Sequence, residues 1–114
     1  TDAEIYMGCA VVFSDSVPAE LSVVVPQAAN DLLTINGVEA SFVAVDNGAQ
    51  VSVSARSMGD VNVQVIMEKL GGGGHLTMAG AQLRNASLEE AKRRLLDAIS
   101  EYRESQRTEK QKNS

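Results

Sequence analysis

A run of glycines that ends in the chain's single histidine is the segment with the most obvious chemical potential. Gly71–Gly74 run directly into His75, although glycine loses more backbone entropy on ordering than any other residue. Successive glycines let backbone N–H groups turn toward one point, as anion-binding loops do. The histidine adds a side-chain donor, so the segment predicts a phosphate or nucleotide site. A flexible connector is the alternative interpretation.

A second polar group lies about one helix upstream, where Ser54, Arg56 and Ser57 end an apolar stretch. The planar guanidinium of arginine matches phosphate oxygens. Strand alternation would place Ser54 and Arg56 on one side, at the end of a strand where α/β sheets often bind ligands. Each residue alone is typical of a structural or surface position. Together with the glycine-histidine segment they predict two donor clusters that the fold brings face to face.

Metal-dependent hydrolysis is not indicated for this chain. Phosphodiester hydrolysis near neutral pH generally uses metal ions, held by several aspartates and histidines. The chain has one histidine, and its aspartates are scattered with no ligand spacing. We therefore expect a domain that binds but does not cut, with no catalytic residue, no metal ligand and no cofactor of its own.

Composition narrows the class of protein further. The 114 residues suit one domain, and a net charge of −5 with four aromatic residues, two Tyr and two Phe, disfavours a long nucleic acid as partner. Cys9 lies in an apolar run and is expected to be a buried, inert thiol. No membrane span or signal peptide is visible, which predicts a soluble, cytosolic-facing chain. It begins with Thr1 rather than methionine, so we expect it to be part of a longer protein.

The first half of the chain predicts a strand, a helix and a hairpin. The uncharged run Ile5–Phe13 is typical of a central strand covered on both faces. Apolar residues from Leu21 to Ile35 follow helical spacing, and Pro26 predicts either a kink or a fresh helix start. Asn36-Gly37 is expected to end this helix. Two further strands, 38–45 and 51–54, flank the turn residues 46–49, where Asn-Gly favours a tight hairpin.

The second half predicts a helix, a strand and a longer helix. Asp60 is the expected N-cap of a short helix that Gly71 ends, and the small residues 78–83 indicate a strand that another element approaches closely. Ser87 and Glu90 have the form of a capping box. The last helix has an apolar face made of Leu88, Ala91, Leu95, Ile99 and Tyr102.

The resulting fold prediction is a single α/β domain with a mixed sheet flanked by helices, in the order β-α-β-β-α-β-α. Residues 1–107 would form this domain. The polar residues 108–114 are expected to be a disordered tail.

The stretch Ser54–Thr77 resembles the C-terminal, DHH-associated substrate-binding domain of the DHH phosphoesterase superfamily, which carries a Gly-Gly-Gly-His signature. It is similar in particular to the GdpP-like bacterial cyclic-di-AMP phosphodiesterases, and the likeness extends from Ile5 to about Arg103. The resemblance implies a membrane-anchored parent enzyme with a DHH catalytic module that binds two manganese ions. That module would hydrolyse cyclic-di-AMP to 5′-pApA while the present domain holds the substrate.

The resemblance also assigns binding roles to individual residues. The arginine and the histidine would contact phosphate, the glycines would offer backbone donors, and the serines would support the turn or the nucleotide. The residues concerned are Ser54, Arg56, Ser57, Gly72, Gly73, Gly74 and His75. The DHH motif itself is absent, so the metal ligands are expected in the catalytic module of the same parent chain.

Two alternatives to a substrate-binding domain stay open. One is a non-catalytic module of the kind found beside alanyl-tRNA editing domains, which binds RNA or mediates assembly; the acidic chain weighs against RNA. The other is a dimerisation module in which the last helix packs against a second copy. An exposed apolar stripe through Leu95 and Tyr102 would favour a homodimer.

Overall fold

The computed structural model describes residues 3–15, 24–35 and 37–112, and it confirms the α/β class with a six-stranded mixed sheet and three helices. The strands follow one another across the sheet in the order β1-β2-β3-β4-β6-β5. The pair β2 and β3 is parallel, and all other pairs are antiparallel. The elements are β1 Glu4–Tyr6, β2 Cys9–Ser14, α1 Val24–Leu32, β3 Ala40–Asp46, β4 Gln50–Ser57, α2 Val63–Glu68, β5 Gly73–Gly74, β6 Met78–Arg84 and α3 Leu88–Lys112.

The apolar run Ile5–Phe13 forms two strands rather than the single one predicted. Met7 and Gly8 have φ angles of 52° and 81°, so they reverse the chain and pair Tyr6 with Cys9. Uniform apolarity conceals such a turn because neither residue is polar. The part of the prediction that holds is β2, which lies between β1 and β3.

One face of the sheet carries the main core and is covered by α2 and α3. Ala91, Leu95 and Ile99 of α3 are almost fully buried in one cluster with Phe42 and Val53 of the sheet. The predicted apolar face of the last helix is therefore confirmed. Because Leu95 is buried within the domain, this stripe is not the exposed surface that would favour a homodimer.

The other face of the sheet is covered by α1 over β3, where Ala29 packs against Val43 and Val45. Pro26 lies in the first turn of α1, as a fresh helix start predicts. The helix ends at Leu32, three residues before the predicted Ile35, and that side chain is 42% exposed. The predicted helix residue Leu21 and turn residue Asn36 lie outside the described residues.

Beyond α1 the same face continues over β4, β6 and β5 without a covering helix among the described residues. We call this region the open face. Its side chains are half-buried or exposed, and those on the two longer strands are Gln50, Ser52, Ser54, Arg56, Met78, Gly80, Gln82 and Arg84.

Local capping explains where the second and third helices begin and end. Asn62, not the predicted Asp60, caps α2, and its side chain accepts hydrogen bonds from the backbone of Gln64 and Val65. Gly71 follows α2 with a φ of 86°, as predicted. The capping box of α3 is confirmed, since the Glu90 amide donates to Ser87 Oγ at 3.1 Å.

The last helix continues to Lys112, past the point where the sequence predicts a disordered tail. The hydroxyl of Thr108 donates to the Glu104 carbonyl at 3.0 Å within this extension. The domain boundary at residue 107 stays a prediction. None of the helices in the described part of the chain combines the length and apolarity needed to cross a bilayer.

Candidate functional site

A shallow groove of about 670 Å³ lies on the open face. Polar and small side chains of β4 and β6 form its floor, and the glycine segment forms one side. The residues that line it are Ser52, Val53, Ser54, Gly71, Gly72, Gly73, Gly80, Ala81, Gln82 and Arg84. None of these described lining residues is a carboxylate, although the chain carries a net charge of −5. A groove lined in this way suits an anion better than the acidic surface of the chain as a whole would suggest.

Arg56 follows Ser54 on the same face of β4, beside the groove but not among the residues that line it. Its Nε donates to Asn30 Oδ1 at 3.0 Å, and its Nη1 donates to the Ala55 carbonyl at 3.1 Å. No carboxylate within the described ranges forms an ion pair with it. The guanidinium is thus oriented by neutral acceptors and keeps its positive charge uncompensated.

His75 lies at the same end of the open face as Arg56. Arg56 pairs with Met78 across β4 and β6, and the His75 amide donates to the Met78 carbonyl at 2.7 Å. Two strand spacings separate the backbones of Arg56 and His75, which corresponds to about 10 Å. The structure therefore brings the backbones of the two residues predicted to contact phosphate to the same end of the open face.

The backbone amides of the glycine segment are partly used inside the domain. The Gly72 amide donates to the Met67 carbonyl at 2.8 Å, and the Gly71 amide donates to the Glu68 carbonyl at 3.1 Å. These bonds close the end of α2. Gly72 is consequently not a free backbone donor for phosphate, whereas donation by Gly73 and Gly74 stays a prediction.

Close approach to β6 accounts for two of the glycines. A Cβ on Gly72 would lie 2.1 Å from the Gly80 carbonyl oxygen, and one on Gly74 would lie 2.5 Å from Ala79 Cα. Real Cβ atoms do not approach so closely, so both positions require glycine, as the small-residue prediction for β6 anticipates. A Cβ on Gly73 would meet no described atom within 4 Å. Gly73 borders the groove, and the fold itself places no steric demand on its side chain.

The two predicted serines lie on opposite faces of β4. Ser54 lines the groove, whereas Ser57 is 6% exposed. The Ser57 hydroxyl donates to the Val61 carbonyl at 2.6 Å and accepts from the Gly59 amide at 3.2 Å. Ser57 therefore holds the turn before α2 and does not face the groove.

Asn30 and Ser41 are site residues that sequence reasoning missed. Asn30 is 26 positions from its partner Arg56, and no local pattern links them. Ser41 is a fully buried polar residue that pairs with Arg56 across β3 and β4 and donates to the Ala29 carbonyl. A serine among apolar residues of a strand was the one signal that marked it.

Metal and thiol chemistry find little support in the described residues. They contain no group of three or more His, Cys, Asp or Glu side chains placed to hold a metal ion. The manganese implied by the resemblance therefore has no ligand set in this part of the chain.

Cys9 is a free, buried thiol as predicted. Burial raises the pKa of this thiol, while the neighbouring Arg103 acts in the opposite direction.

Comparisons with known proteins place this geometry in a family. The DHHA1 domain family matches residues 18–105. The cyclic-di-AMP phosphodiesterase GdpP of Geobacillus thermodenitrificans (strain NG80-2) is 51% identical over 96 residues, which cover 83% of this chain and 15% of that protein. The chain thus spans a small fraction of the relative's length.

Two solved structures share the fold at low sequence identity. One is an exopolyphosphatase-related protein from Bacteroides fragilis, with a TM-score of 0.75 and 22% identity over 89% of this chain and 32% of the other. The second is the C-Ala domain of alanyl-tRNA synthetase from Aquifex aeolicus, with a TM-score of 0.58 and 19% identity over 88% of this chain and 99% of the other. Since the family match spans most of its length, this chain belongs to the DHHA1 domain family of the DHH phosphoesterase superfamily.

Proposed function

We propose that this domain holds the phosphate groups of cyclic-di-AMP for a DHH catalytic module of the same parent chain, which hydrolyses the ligand to 5′-pApA. The observation that carries the proposal is a groove without carboxylates in an acidic chain, with Arg56 and His75 beside it on the open face. The activity printed in the name of the Geobacillus relative supplies the substrate.

Each residue in or beside the groove has a distinct role in this proposal. Arg56 makes charge-assisted hydrogen bonds to phosphate oxygens. The exposed His75, which follows β5 on the far side of β6, adds a donor. Ser54 offers a hydroxyl on the floor of the groove. Gly73 lets the ligand approach the backbone closely because it presents no side chain.

The chemical step belongs to the rest of the parent protein. We propose that manganese ions bound by the DHH module activate water there, and that the parent is anchored in the bacterial membrane with this domain on the cytosolic side. The present chain contributes binding and orientation, which lower the barrier by holding reacting groups in place.

A chimera tests the proposal most directly. The matching segment of the Geobacillus phosphodiesterase is exchanged for this chain, and cyclic-di-AMP hydrolysis is followed with and without Arg56→Ala. Loss of a charge-assisted hydrogen bond should lower kcat/KM by about ten- to a hundredfold. Arg93→Ala is the matched control, because Arg93 is an exposed arginine on α3, which packs on the opposite face. Equal activity of the two variants would contradict the proposal.

Direct binding adds a second test. The 114-residue chain is titrated with cyclic-di-AMP and with 5′-pApA while its amide NMR signals are recorded. We expect shifts confined to residues 52–56, 71–75 and 78–84. Shifts concentrated on α3 instead would favour the dimerisation or nucleic-acid alternatives, which a matched titration with single-stranded RNA and a solution mass measurement distinguish.

A further inference from the structure

We infer that Asn30 is a positioning residue for Arg56, and that the hydrogen bond from α1 to β4 aims the guanidinium at the ligand on the open face. The inference rests on the proposed function, since it concerns how the same groove recognises phosphate. Asn30 itself need not touch the ligand.

The geometry of Arg56 shows what the asparagine contributes. Nε carries one hydrogen, and its bond to Asn30 Oδ1 at 3.0 Å fixes the rotation of the whole planar group. The bond from Nη1 to the Ala55 carbonyl fixes the group from a second side. The Nη2 amino group and the second Nη1 hydrogen then form the edge that remains for a bidentate contact with phosphate.

Asn30 is itself held in place by a buried contact at the residue before it. Ala29, the preceding residue, is fully buried, and its carbonyl accepts a hydrogen bond from the buried Ser41 hydroxyl. Ser41 is the direct cross-strand partner of Arg56. The strand beside Arg56 therefore fixes the helix that orients it, and this arrangement exists before any ligand arrives.

Pre-organisation of this kind changes affinity rather than folding. An unrestrained arginine side chain loses rotamer freedom when it binds a ligand, and this loss weakens binding. With Nε already bonded to Asn30, most of that ordering occurs during folding. Because the Asn30 side chain is exposed, its loss should cost the fold little.

The contact can be tested first in the chain itself. The Arg56 Nε–Hε signal is recorded by ¹⁵N NMR in the unsubstituted 114-residue chain and in its Asn30→Ala and Asn30→Asp variants. We expect a distinct, exchange-protected signal that Asn30→Ala abolishes and Asn30→Asp retains, since aspartate offers the same acceptor. Gln27→Ala is the matched control, because Gln27 lies on the same helix and bonds to Asp31. Thermal midpoints of all variants should agree within about 3 °C.

Activity of the chimera supplies the functional readout. Asn30→Ala should raise KM for cyclic-di-AMP by about two- to tenfold with little change in kcat, the effect of one lost orienting hydrogen bond. Asn30→Asp keeps the acceptor but adds a negative charge beside Arg56, so it should retain the Nε–Hε signal without restoring KM. Gln27→Ala should leave KM unchanged.

The possible outcomes separate the two claims. If Arg56→Ala lowers activity and Asn30→Ala alters neither KM nor the Nε–Hε signal, the positioning role is wrong and the proposed function stands. If Asn30→Ala abolishes the signal but Arg56→Ala leaves KM unchanged, the contact is structural and both the proposed function and the positioning role fail.

Discussion

Arg56 and His75 lie at the two ends of one row across the sheet, with Met78 between them. The row forms because β6, although it follows both residues in sequence, inserts between β4 and β5. Two polar segments that the sequence separates by a helix thereby come to one end of the open face.

Substitutions in the glycine segment, Gly71–Gly74, should differ sharply in their effect on stability. Gly72→Ala forces a Cβ to within 2.1 Å of the Gly80 carbonyl, so it should lower the free energy of unfolding by about 1–3 kcal/mol or more. Gly73→Ala meets no described atom and should change it by less than about 0.5 kcal/mol. Urea denaturation of the two variants measures the difference. Similar losses would mean that β5 does not pack on β6 as described.

Ligand affinity should fall in Gly73→Ala, the glycine variant that is expected to keep its stability. A methyl group on Gly73 projects into the groove and should weaken cyclic-di-AMP binding by about tenfold through lost close contacts. Because this variant keeps its fold, a weaker titration response reports on the groove alone. An unchanged response would remove Gly73 from the binding site.

Ser54 and Ser57 of β4 should likewise differ in whether they affect ligand binding or stability. Ser57→Ala removes the hydrogen bond to the Val61 carbonyl and should lower the free energy of unfolding by about 1–3 kcal/mol. Ser54→Ala should leave stability nearly unchanged and raise KM in the chimera, because Ser54 lines the groove. A KM effect of Ser57→Ala at unchanged stability would instead assign Ser57 to the ligand.

Local sequence rules were sufficient wherever a structure is decided by neighbouring residues. The hairpin at residues 46–49 forms as predicted, and the Asn47 side chain accepts from the Ala49 and Gln50 amides. The Ser87 cap and the Gly71 helix end follow the same logic. Each of these features is specified within a few positions of sequence.

Long-range contacts account for what the sequence could not reveal. Asp60 and Asn62 are both good caps. The choice of Asn62 follows from tertiary contacts, since its backbone N–H donates to the Tyr102 hydroxyl on α3. The roles of Gly72 and Gly74 depend on which strand they approach. The link between Asn30 and Arg56 depends on α1 packing over β3. None of these contacts is encoded in a local pattern.

The hydrogen bonds of the Tyr102 hydroxyl, which link α3 to the start of α2, should contribute measurably to the free energy of unfolding. Its hydroxyl accepts hydrogen bonds from the Asn62 amide at 2.8 Å and from Gln106 Nε2 at 3.2 Å. Tyr102→Phe keeps the packing of the ring but leaves the amide without its acceptor, so the free energy of unfolding should fall by about 1 kcal/mol. Tyr6→Phe is the control. Equal stability of the Tyr102→Phe variant and the parent sequence would show that water replaces the bond at no cost.

The buried thiol of Cys9 should make stability depend on alkaline pH. Burial raises the pKa of this thiol in the folded state, against the opposing effect of Arg103. Below the unfolded thiol's pKa of about 8.5 both states keep the proton, and above it the unfolded state releases the proton first. The free energy of unfolding should therefore fall as pH rises from about 8.5 until the folded-state pKa is passed.

Urea denaturation between neutral and alkaline pH measures this loss, and Cys9→Ala should remove that part of the slope. Alkylation by iodoacetamide gives an independent check, because the thiolate is the reactive form. The native chain should react slowly at neutral pH and the urea-unfolded chain quickly. Rapid alkylation of the native chain would contradict a buried, protonated thiol.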